Sequence, residues 1–379
     1  MDNIAGRKSG LTWAVHIAVV LLVILWLFPT AGLFVSSFRT GDQISGSGWW
    51  AAFSTQQRNE PAVRVGGDEV QQDGRFVLQG DLFPNRDMTI KAWGTSSRDV
   101  EAYEPGATAD LGDGVTLTLD EGGTFTLAGP ESFEGQRLPR VFATASSPPE
   151  FTLANYENVL FSGTAGAGVG QSFINTATVA IPSTVIPILI AAFAAYALAW
   201  MDFPGRALLV AAVVALLVVP LQLALIPLLQ IHNVIGIGKT YMGTWAAHTA
   251  FGMPLAIYLL RNYMVGLPRD IIENARVDGA TDFQIFVKII LPLSFPALAS
   301  FAIFQFLWTW NDLLVALVFL GTDDERLVLT GRLVNLLGSR GGDWEILATS
   351  AFVSIAVPLA VFFAMQRYLV RGLLAGSVK

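Results

Sequence analysis

The chain has 379 residues, of which 53% are hydrophobic and only 14% are charged, and its mean hydropathy is +0.53. A water-soluble domain needs a more polar surface, so this composition indicates a membrane protein. The lack of cysteine excludes disulfides and thiolate metal sites, and the net charge of −7 arises in one segment, since residues 41–160 hold 18 acidic and 8 basic side chains.

Long stretches without a charged residue predict where the chain crosses the membrane. About 20 apolar residues span a hydrocarbon core of roughly 30 Å. Six stretches predict six crossings: 9–38, 158–201, 207–238, 240–260, 289–311 and 346–366. Prolines inside them predict kinked helices, because neighbouring helices and water can satisfy the freed carbonyls. The first stretch follows Arg7 and Lys8 as a secretory signal would, but its long apolar run without a small-x-small cleavage site favours an uncleaved helix.

The basic residues predict the orientation of these crossings. With a cytoplasmic N-terminus, short inner segments hold ten Lys or Arg and short outer segments hold four, as the positive-inside rule requires. The chain is therefore expected in the cytoplasmic (inner) membrane with both termini cytoplasmic. Residues 41–150 are then extracytoplasmic, and their acidity does not matter for orientation because long domains translocate regardless of charge.

Residues 41–150 show the period-two alternation of β-strands in "RFVLQGDLF", "DMTIKAW" and "VTLTLDEGGTFTL". Nine apolar residues recur at strand spacing: Phe76, Leu78, Leu82, Ile90, Trp93, Leu117, Leu119, Phe125 and Leu127. A disordered acidic loop would lack this spacing. The segment is thus predicted to be a small β-rich acidic insertion that ends at the linker "SSPPE".

Two glycine-containing stretches imitate nucleotide-binding motifs but fail their spacing. Gly238, Lys239 and Thr240 resemble the end of a P-loop, yet Asn233 stands where the first glycine is needed. "GAGVG" at 166–170 has Gln171 at the third glycine position of G-x-G-x-x-G. No nucleotide site is expected on this chain.

The segment 269–282, "RDIIENARVDGATD", is highly charged between two very apolar segments. Its pattern predicts a short helix with Ile271, Ile272 and Ala275 on one side, a turn at Gly279, and a second amphipathic helix with Phe283, Phe286, Val287 and Ile290 on its apolar face. Such an element on the inner membrane face is either an ordinary interfacial helix or a docking element for a cytoplasmic partner.

The stretch "ENARVDGATDFQIFVKIILPLSFP" resembles the EAA loop of ABC importer permeases, whose pattern is Glu-Ala-Ala, three residues, Gly, and about nine residues before Ile-x-Leu-Pro. The matching residues are Glu273, Ala275, Gly279, Ile289, Leu291 and Pro292. Asn274 departs from the first alanine. Residues 266–292 are therefore expected to be an EAA coupling loop.

The resemblance covers residues 150–379 and the first crossing, and it is similar to the second permease subunit of maltose and alpha-glucoside type importers. "FTLANYENVL", "AAYALAWMDFPGR", "FLWTWNDLLVALVFL" and "MQRYLVRGLLAGSVK" carry it. It implies an all-α membrane protein with the six-helix type I transmembrane domain. The implied regions are 1–40 (N-terminus and first helix), 41–150 (the β-rich extracytoplasmic insertion, as in the alpha-glucoside subgroup) and 151–379 (the core permease).

The resemblance also implies a mechanism and partners. The loop of such permeases inserts into a cleft of a cytoplasmic ATPase, so Glu273 would pair with a basic group there. Gly279 would permit the bend, and Asp278 and Ala280 would lie at the contact. The implied partners are a second permease subunit, two ATP-binding subunits, an extracytoplasmic sugar-binding protein and membrane lipid, with no nucleic acid. ATP and Mg are expected on the ATPase, and this chain carries no cofactor or catalytic site.

Asp312 is an ionisable residue within apolar sequence, which makes it a functional candidate. With Trp308, Trp310 and Asn311 it would offer stacking faces and hydrogen-bonding groups to a sugar in the translocation pathway. An aromatic interface belt and a structural hydrogen bond are the alternatives. In the resembling maltose system, the other permease subunit holds most of the sugar. The three histidines lie in separate segments and are expected to be hydrogen-bonding groups rather than metal ligands.

Two other classes of function compete with the importer. An ion-coupled secondary transporter would need intramembrane charges or inverted repeats, and neither is found in the sequence. A membrane-anchored enzyme or sensor would use the carboxylates of the outer domain, but no spacing singles out an acid–base pair.

Overall fold

The computed structural model describes residues 10–72, 74–84, 88–161, 168–339 and 342–375. The chain divides into two compact units, residues 1–153 and residues 154–379. The first unit holds one long helix and the β-strands, and the second is helical.

The first unit begins with helix α1, Gly10–Ser36, which is long and apolar enough to cross a membrane. Within the span only 6% of the residues are buried, as expected of a helix whose side chains face lipid. A short helix α2, Gly41–Gly46, and a single 3₁₀ turn, Trp49–Ala51, follow it before the first strand.

Nine antiparallel strands complete this unit. They are β1 Gln56–Asn59, β2 Val63–Arg64, β3 Glu69–Gln72, β4 Arg75–Asp81, β5 Thr89–Gly94, β6 Thr108–Gly112, β7 Val115–Leu119, β8 Thr124–Gly129 and β9 Arg140–Ser147. One sheet has the order β1-β9-β2 with β5 also paired to β9, and the other has the order β3-β4-β8-β7-β6. One apolar core draws on both sheets.

The alternation of apolar residues locates this core. Of the nine residues that recur at strand spacing in the sequence, eight are buried, and Phe76 packs against them partly buried. Trp93 is fully buried, and its ring lies 4.9 Å from that of Tyr103. The strands that the alternation did not indicate include β1 and β3, which are mostly polar on both faces.

The second unit contains the remaining helices. They are α3 Ala154–Leu160, α4 Val169–Trp200, α5 Arg206–Leu216, α6 Leu221–Val234, α7 Tyr241–Val265, α8 Arg269–Val277, α9 Asp282–Ile285, α10 Leu291–Leu293, α11 Phe295–Asn311, α12 Leu314–Phe319, α13 Leu329–Ser339 and α14 Trp344–Ala375. A π-helical turn, Phe286–Ile290, joins α9 to α10.

Two of the predicted crossings are bent pairs of helices rather than single rods. The α5–α6 pair bends by 109°, and the segment Asp282–Leu293 meets α11 at 69°. Pro220 precedes α6 and cannot continue the hydrogen-bond ladder of α5. In the described part of the chain, three helices, or up to five spans if each bent pair counts as one, are long and apolar enough to cross a membrane.

Small residues allow the central helices to approach closely. Ala191 and Ala195 of α4 and Ala256 of α7 are fully buried in the cluster where these two helices pack. Without a hydrophobic driving force in lipid, close van der Waals contact between small residues holds membrane helices together. The loop that follows α7 packs against this closely packed pair of helices, since Ile272 belongs to the same buried cluster.

Candidate functional site

The charged loop begins with helix α8, which follows Pro268. That proline is the N-cap, with φ fixed near −60° and an extended ψ of 126°. Ile272 is 1% exposed and packs into the cluster formed with α4, α7 and α11. Ile271, which the sequence placed on the same side, is exposed. Glu273 also lies on the exposed surface.

The turn after α8 has a defined hydrogen-bonded geometry. Gly279 has φ +81°, its N–H donates to Arg276 O at 3.0 Å, and the N–H of Ala280 donates to Ala275 O at 3.0 Å. This pair of bonds is a Schellman motif, which ends a helix with a left-handed residue. Glycine adopts that conformation without the cost that a Cβ imposes. The turn therefore requires Gly279, while Asp278 beside it stays exposed.

The second half of the loop starts with a reciprocal cap. The Gln284 N–H donates to Thr281 Oγ1 at 3.3 Å, and the Thr281 N–H donates to Gln284 Oε1 at 2.9 Å. This capping box satisfies two donors at the start of α9. The backbone then widens into the π-helical turn, a feature that often accompanies functional sites.

The π-helical turn changes which side chains are buried. The predicted apolar face is wrong at two positions, because Phe283 is 66% exposed and Val287 is also exposed. Phe286 and Ile290 are buried as predicted, and Ile285 is buried with them. An α-helical spacing cannot describe this segment, since a π-helical turn holds more residues than an α-helical one.

Polar and aromatic contacts tie the loop to the end of α4. The Tyr196 hydroxyl donates to Asp282 Oδ1 at 3.2 Å, and Arg276 Nη2 lies 3.2 Å from the same oxygen. The ring of Phe286 packs at 4.6 Å from that of Phe193 and 5.3 Å from that of Tyr196. Two kinds of contact, polar and aromatic, therefore join the loop to α4.

The loop has an exposed outer face and an inner face that packs on the bundle. Val277, 86% exposed, and Phe283 offer apolar area, and Glu273 and Asp278 offer negative charge. Ala275 and Ala280 are half-buried against the helical core beneath. Pro292 lies beyond the π-helical turn and borders a separate, apolar pocket with α4 and α11.

The four predicted pathway residues at the end of α11 separate in the structure. Trp310 is 2% exposed, its Nε1 donates to Ser354 O at 3.0 Å, and its ring packs 5.5 Å from that of Phe173. Asn311 is exposed, and its Nδ2 donates to Leu307 O within its own helix. Trp310 is thus part of the packing of α11 against α4 and α14, not of a shared polar face.

Asp312 lies at a break between two helices, although the apolar sequence on both sides suggested one continuous segment. It follows the last residue of α11 with an extended ψ of 130°. Its Oδ2 accepts a hydrogen bond from Val315 N at 2.9 Å at the start of α12. The carboxylate therefore caps the second helix, as short polar side chains do at helix starts.

A histidine from α7 joins Asp312 and Trp308. The fully buried His248 has its Nε2 3.7 Å from Asp312 Oδ2, and its ring meets that of Trp308 edge to face at 5.1 Å. No pattern in the sequence indicates this grouping, because α7 and α11 come together only through the packing of the bundle. Among the described residues, no group of three or more His, Cys, Asp or Glu is placed to hold a metal ion.

Gln305 extends the group formed by His248, Trp308 and Asp312 toward α4. The residue is buried, and its Nε2 donates to Ser183 O at 3.0 Å and lies 3.4 Å from His248 O. Gln305 and Trp308 also line a cavity of about 450 Å³ whose other walls are mostly apolar and come from the α5–α6 segment and α7. We call His248, Gln305, Trp308 and Asp312 the polar centre.

The chain is similar to known transport proteins over its full length. Residues 172–374 match the profile of the family described as "binding-protein-dependent transport system inner membrane component". The alpha-glucoside transport system permease protein AglG of Rhizobium meliloti is 65% identical over 380 residues, which is 98% of each chain. The osmoprotective compounds uptake permease protein GgtD of Synechocystis is 60% identical over 230 residues, 61% of this chain and 76% of that protein.

A solved structure shares the fold. A chain of a bacterial ABC transporter involved in the import of the acidic polysaccharide alginate matches with a TM-score of 0.57 and 17% identity, over 96% of this chain and 98% of that one. The match includes both units, and the residues of the charged loop lie inside the range that the family profile covers. The chain therefore belongs to the family of binding-protein-dependent transport system inner membrane components, the permease subunits of ABC importers.

Proposed function

We propose that this permease forms part of the translocation pathway of an ATP-driven importer for α-glucosides. The supporting observation is the 65% identity to an alpha-glucoside permease over 98% of both chains, which includes the strand-rich first unit. The shorter relative that is 60% identical covers only 61% of this chain. Identity that extends through both units favours the same substrate class, whereas the family alone fixes only the kind of transporter.

The proposed assembly contains four kinds of partner. A second permease subunit completes the pathway, two ATP-binding subunits bind ATP and Mg, a sugar-binding protein delivers the substrate, and lipid surrounds the helices. Family membership supports this, since the family is binding-protein-dependent and its members are inner membrane components. The strand-rich residues 41–150 are proposed to help dock the binding protein or the second permease. Uptake and assembly that are unchanged after their deletion would contradict that role.

The proposed topology has six crossings, with both termini in the cytoplasm and residues 41–150 outside. The excess of Lys and Arg in the short inner segments supports it. α7 is proposed as the sixth crossing, because its 25 residues are about 37 Å long at 1.5 Å per residue. α7 is less apolar than α1, α4 and α14, which fits a helix that is covered by α4, α5 and α11 rather than by lipid.

Coupling is proposed to run through residues 266–292. The exposed Glu273, Val277, Asp278 and Phe283 dock against an ATP-binding subunit, and closure of the ATPase dimer on ATP moves them. Asp282 and Phe286 pass that movement to α4, so the bundle alternates between inward-facing and outward-facing states. The ATPase drives the change because it binds one of the two states more tightly.

The polar centre is proposed to contact the sugar during its passage. The Trp308 face suits stacking on a sugar ring, and the carboxylate of Asp312 and the amide of Gln305 suit hydroxyl groups. Ser183 Oγ and both ring nitrogens of His248 have no hydrogen-bond partner within the described residues. Buried polar atoms of this kind are available to a hydroxylated ligand or to water. Asn311 and Trp310 are not proposed to contact the sugar.

The test is transport by the reconstituted complex. Proteoliposomes would contain this chain with its permease, ATPase and binding-protein partners, and uptake of labelled maltose would be compared with uptake of the β-linked cellobiose. ATP-dependent uptake of maltose alone supports the proposal. Uptake of neither sugar, or equal uptake of both, contradicts the substrate class.

A matched pair of variants tests the coupling loop in the same vesicles. Glu273→Ala removes the carboxylate of the motif, and Asp270→Ala removes an equally exposed carboxylate in the first turn of the same helix. We expect a large loss of uptake for Glu273→Ala and near wild-type uptake for Asp270→Ala. Equal effects would mean that the loop acts only through its net charge.

A further inference from the structure

The segment between α1 and the first strand folds back onto the end of α1. Trp49 lies against the helix, with its ring 4.7 Å from that of Phe28. A Cβ on Gly32 would come within 2.7 Å of the Trp49 ring, so glycine is needed for this close approach. The Trp50 ring lies 6.3 Å from that of Phe28 and is stacked on it. The two tryptophans therefore stand beside the last two turns of the helix.

A buried arginine fixes the fold-back. Arg39 is 1% exposed, and its Nη2 donates to Gln43 O and to Ser47 Oγ, both at 2.7 Å. Its Nη1 donates to Ser47 O at 3.1 Å. The guanidinium thus satisfies carbonyls at the C-terminal end of α2, where a positive charge is favourable. Because Arg39 lies only three residues after the end of α1, its hydrogen bonds hold α2 and the 3₁₀ turn beside the helix end.

The segment that follows β9 also returns to the end of α1. We call the strands of the first unit, residues 56–147, the β domain. The backbone N–H of Thr152 donates to Phe38 O at 2.7 Å, two residues after α1 ends. Phe151 beside it packs 5.3 Å from Phe53, ring to ring. The chain therefore surrounds the end of α1 with aromatic side chains on both of its connections to the β domain. We call Trp49, Trp50, Phe53 and Phe151 the aromatic patch.

The patch is exposed although it is apolar. Trp50 is 70% exposed, Phe53 is 75% exposed and Phe151 is 48% exposed. Residues 43–57 contain no charged side chain. Exposed tryptophans on an uncharged segment are typical of the membrane–water interface, where the ring is half in lipid and its N–H reaches water.

The depth of the patch along α1 agrees with that zone. The helix of 27 residues is about 40 Å long, which exceeds the hydrocarbon core by roughly 5 Å at each end if it is centred. Measured along the helix axis, Phe28 then lies about 7 Å, and Gly32 about 1 Å, inside the edge of the hydrocarbon core that is nearer to Ser36. The patch is also continuous with the exposed apolar surface of α1, where Leu25 and Trp26 face outward.

We propose that the aromatic patch is a membrane-surface anchor, in which Trp50, Phe53 and Phe151 insert into the lipid interface around α1 and seat the β domain on the bilayer. The partner is the headgroup and upper acyl region of the leaflet at which α1 ends. The anchor fixes the tilt of the β domain and so the direction in which its far surface points.

The test measures where the patch lies relative to lipid and water. The chain has no cysteine, so Phe53→Cys and, as control, Ser97→Cys on an exposed turn of the β domain each give one labelling site on it, with the partner subunits prepared free of cysteine. Both would be spin-labelled in the full complex, reconstituted in nanodiscs of phosphatidylethanolamine and phosphatidylglycerol. Collision with oxygen, which enters lipid, is compared with collision with a water-soluble nickel chelate.

We expect the ratio of oxygen to nickel collisions to be about tenfold higher at position 53 than at position 97, because the label at 53 lies among lipid. Adding Trp49→Ala and Trp50→Ala should bring the ratio at 53 toward that at 97 while the complex stays assembled. Equal ratios at the two positions would overturn the anchor. Shielding of position 53 from both probes would also overturn it, since a protein partner would then cover the patch.

Discussion

The hydroxyl of Tyr196 at the end of α4 donates a hydrogen bond to Asp282 Oδ1, 3.2 Å away in the charged loop. The same oxygen is paired with Arg276, so one carboxylate connects the two halves of the loop to a long central helix. The pair is partly exposed, and its energy is therefore small, about 1 kcal/mol. A contact of that size changes an equilibrium between two conformations about fivefold.

Tyr196→Phe is expected to weaken coupling without unfolding the protein. The ring contacts with Phe286 remain, and only the hydrogen bond to Asp282 is lost. We expect the number of sugar molecules imported per ATP hydrolysed to fall about twofold to fivefold. The measurement is uptake and ATP hydrolysis in the same proteoliposomes. Asp282→Ala, which removes the acceptor, should show at least as large a loss, and the double variant should lose no more than the larger single effect.

Gly279→Ala is expected to destabilise the turn through backbone conformation alone. No atom lies within 4 Å of the position that its Cβ would take, but φ is +81°. The left-handed conformation costs an alanine about 1–2 kcal/mol. We expect weaker ATPase association and reduced uptake, measured by co-purification and transport. Gly338→Ala is the control, because its Cβ also meets open space while its φ is not in the left-handed region.

Asp312 is expected to have two separable roles, capping α12 and supplying charge near His248. Asp312→Ala removes both and should lower the free energy of unfolding by about 1 kcal/mol through the lost cap. Asp312→Asn keeps an oxygen for Val315 N, so the cap should remain while the charge is lost. Thermal unfolding and sugar uptake would be measured for both. If the asparagine variant transports normally, the charge of Asp312 is not needed for passage.

The two tryptophans of α11 should respond differently to truncation. Trp310→Ala removes a fully packed side chain and should cost about 3–5 kcal/mol of stability. Trp308→Ala opens a half-buried position that lines the cavity, so we expect a smaller loss of stability and a higher KM for sugar uptake. The measurements are the melting temperature and the uptake kinetics. A KM that is unchanged in Trp308→Ala would contradict a place in the pathway.

The sequence predicts this structure best where periodicity and local turn chemistry act. Alternation identified eight buried core residues of the β unit, and Gly279 marked the turn of the loop. The bend at Pro220 agrees with the kinks that prolines predict, but its angle of 109° and the bend before Phe295 were not indicated, since uncharged sequence runs on without interruption. A count of apolar residues measures length, whereas a bend depends on which backbone groups are hydrogen-bonded.

The polar centre was only partly predictable. Asp312 and Trp308 were predicted as pathway residues because they are polar and aromatic groups in apolar sequence. Trp310 was predicted with them, but its side chain packs against α4 and α14. Side chains two residues apart lie on opposite sides of a helix, so adjacency in sequence misled. His248 joined the group through the packing of α7 on α11, which no local pattern encodes.

The π-helical turn at Phe286–Ile290 sets the rotational phase between the loop and α11. If the same residues were wound as an α-helix, everything before them would rotate by about 100° relative to α11, because the π-helical turn holds one residue more than an α-helical turn. Asp282 would then turn away from Tyr196, while Phe283 would swing toward the bundle. The extra residue acts as an angular offset built into the chain, which lets one short segment pack against the bundle on one side and stay exposed on the other.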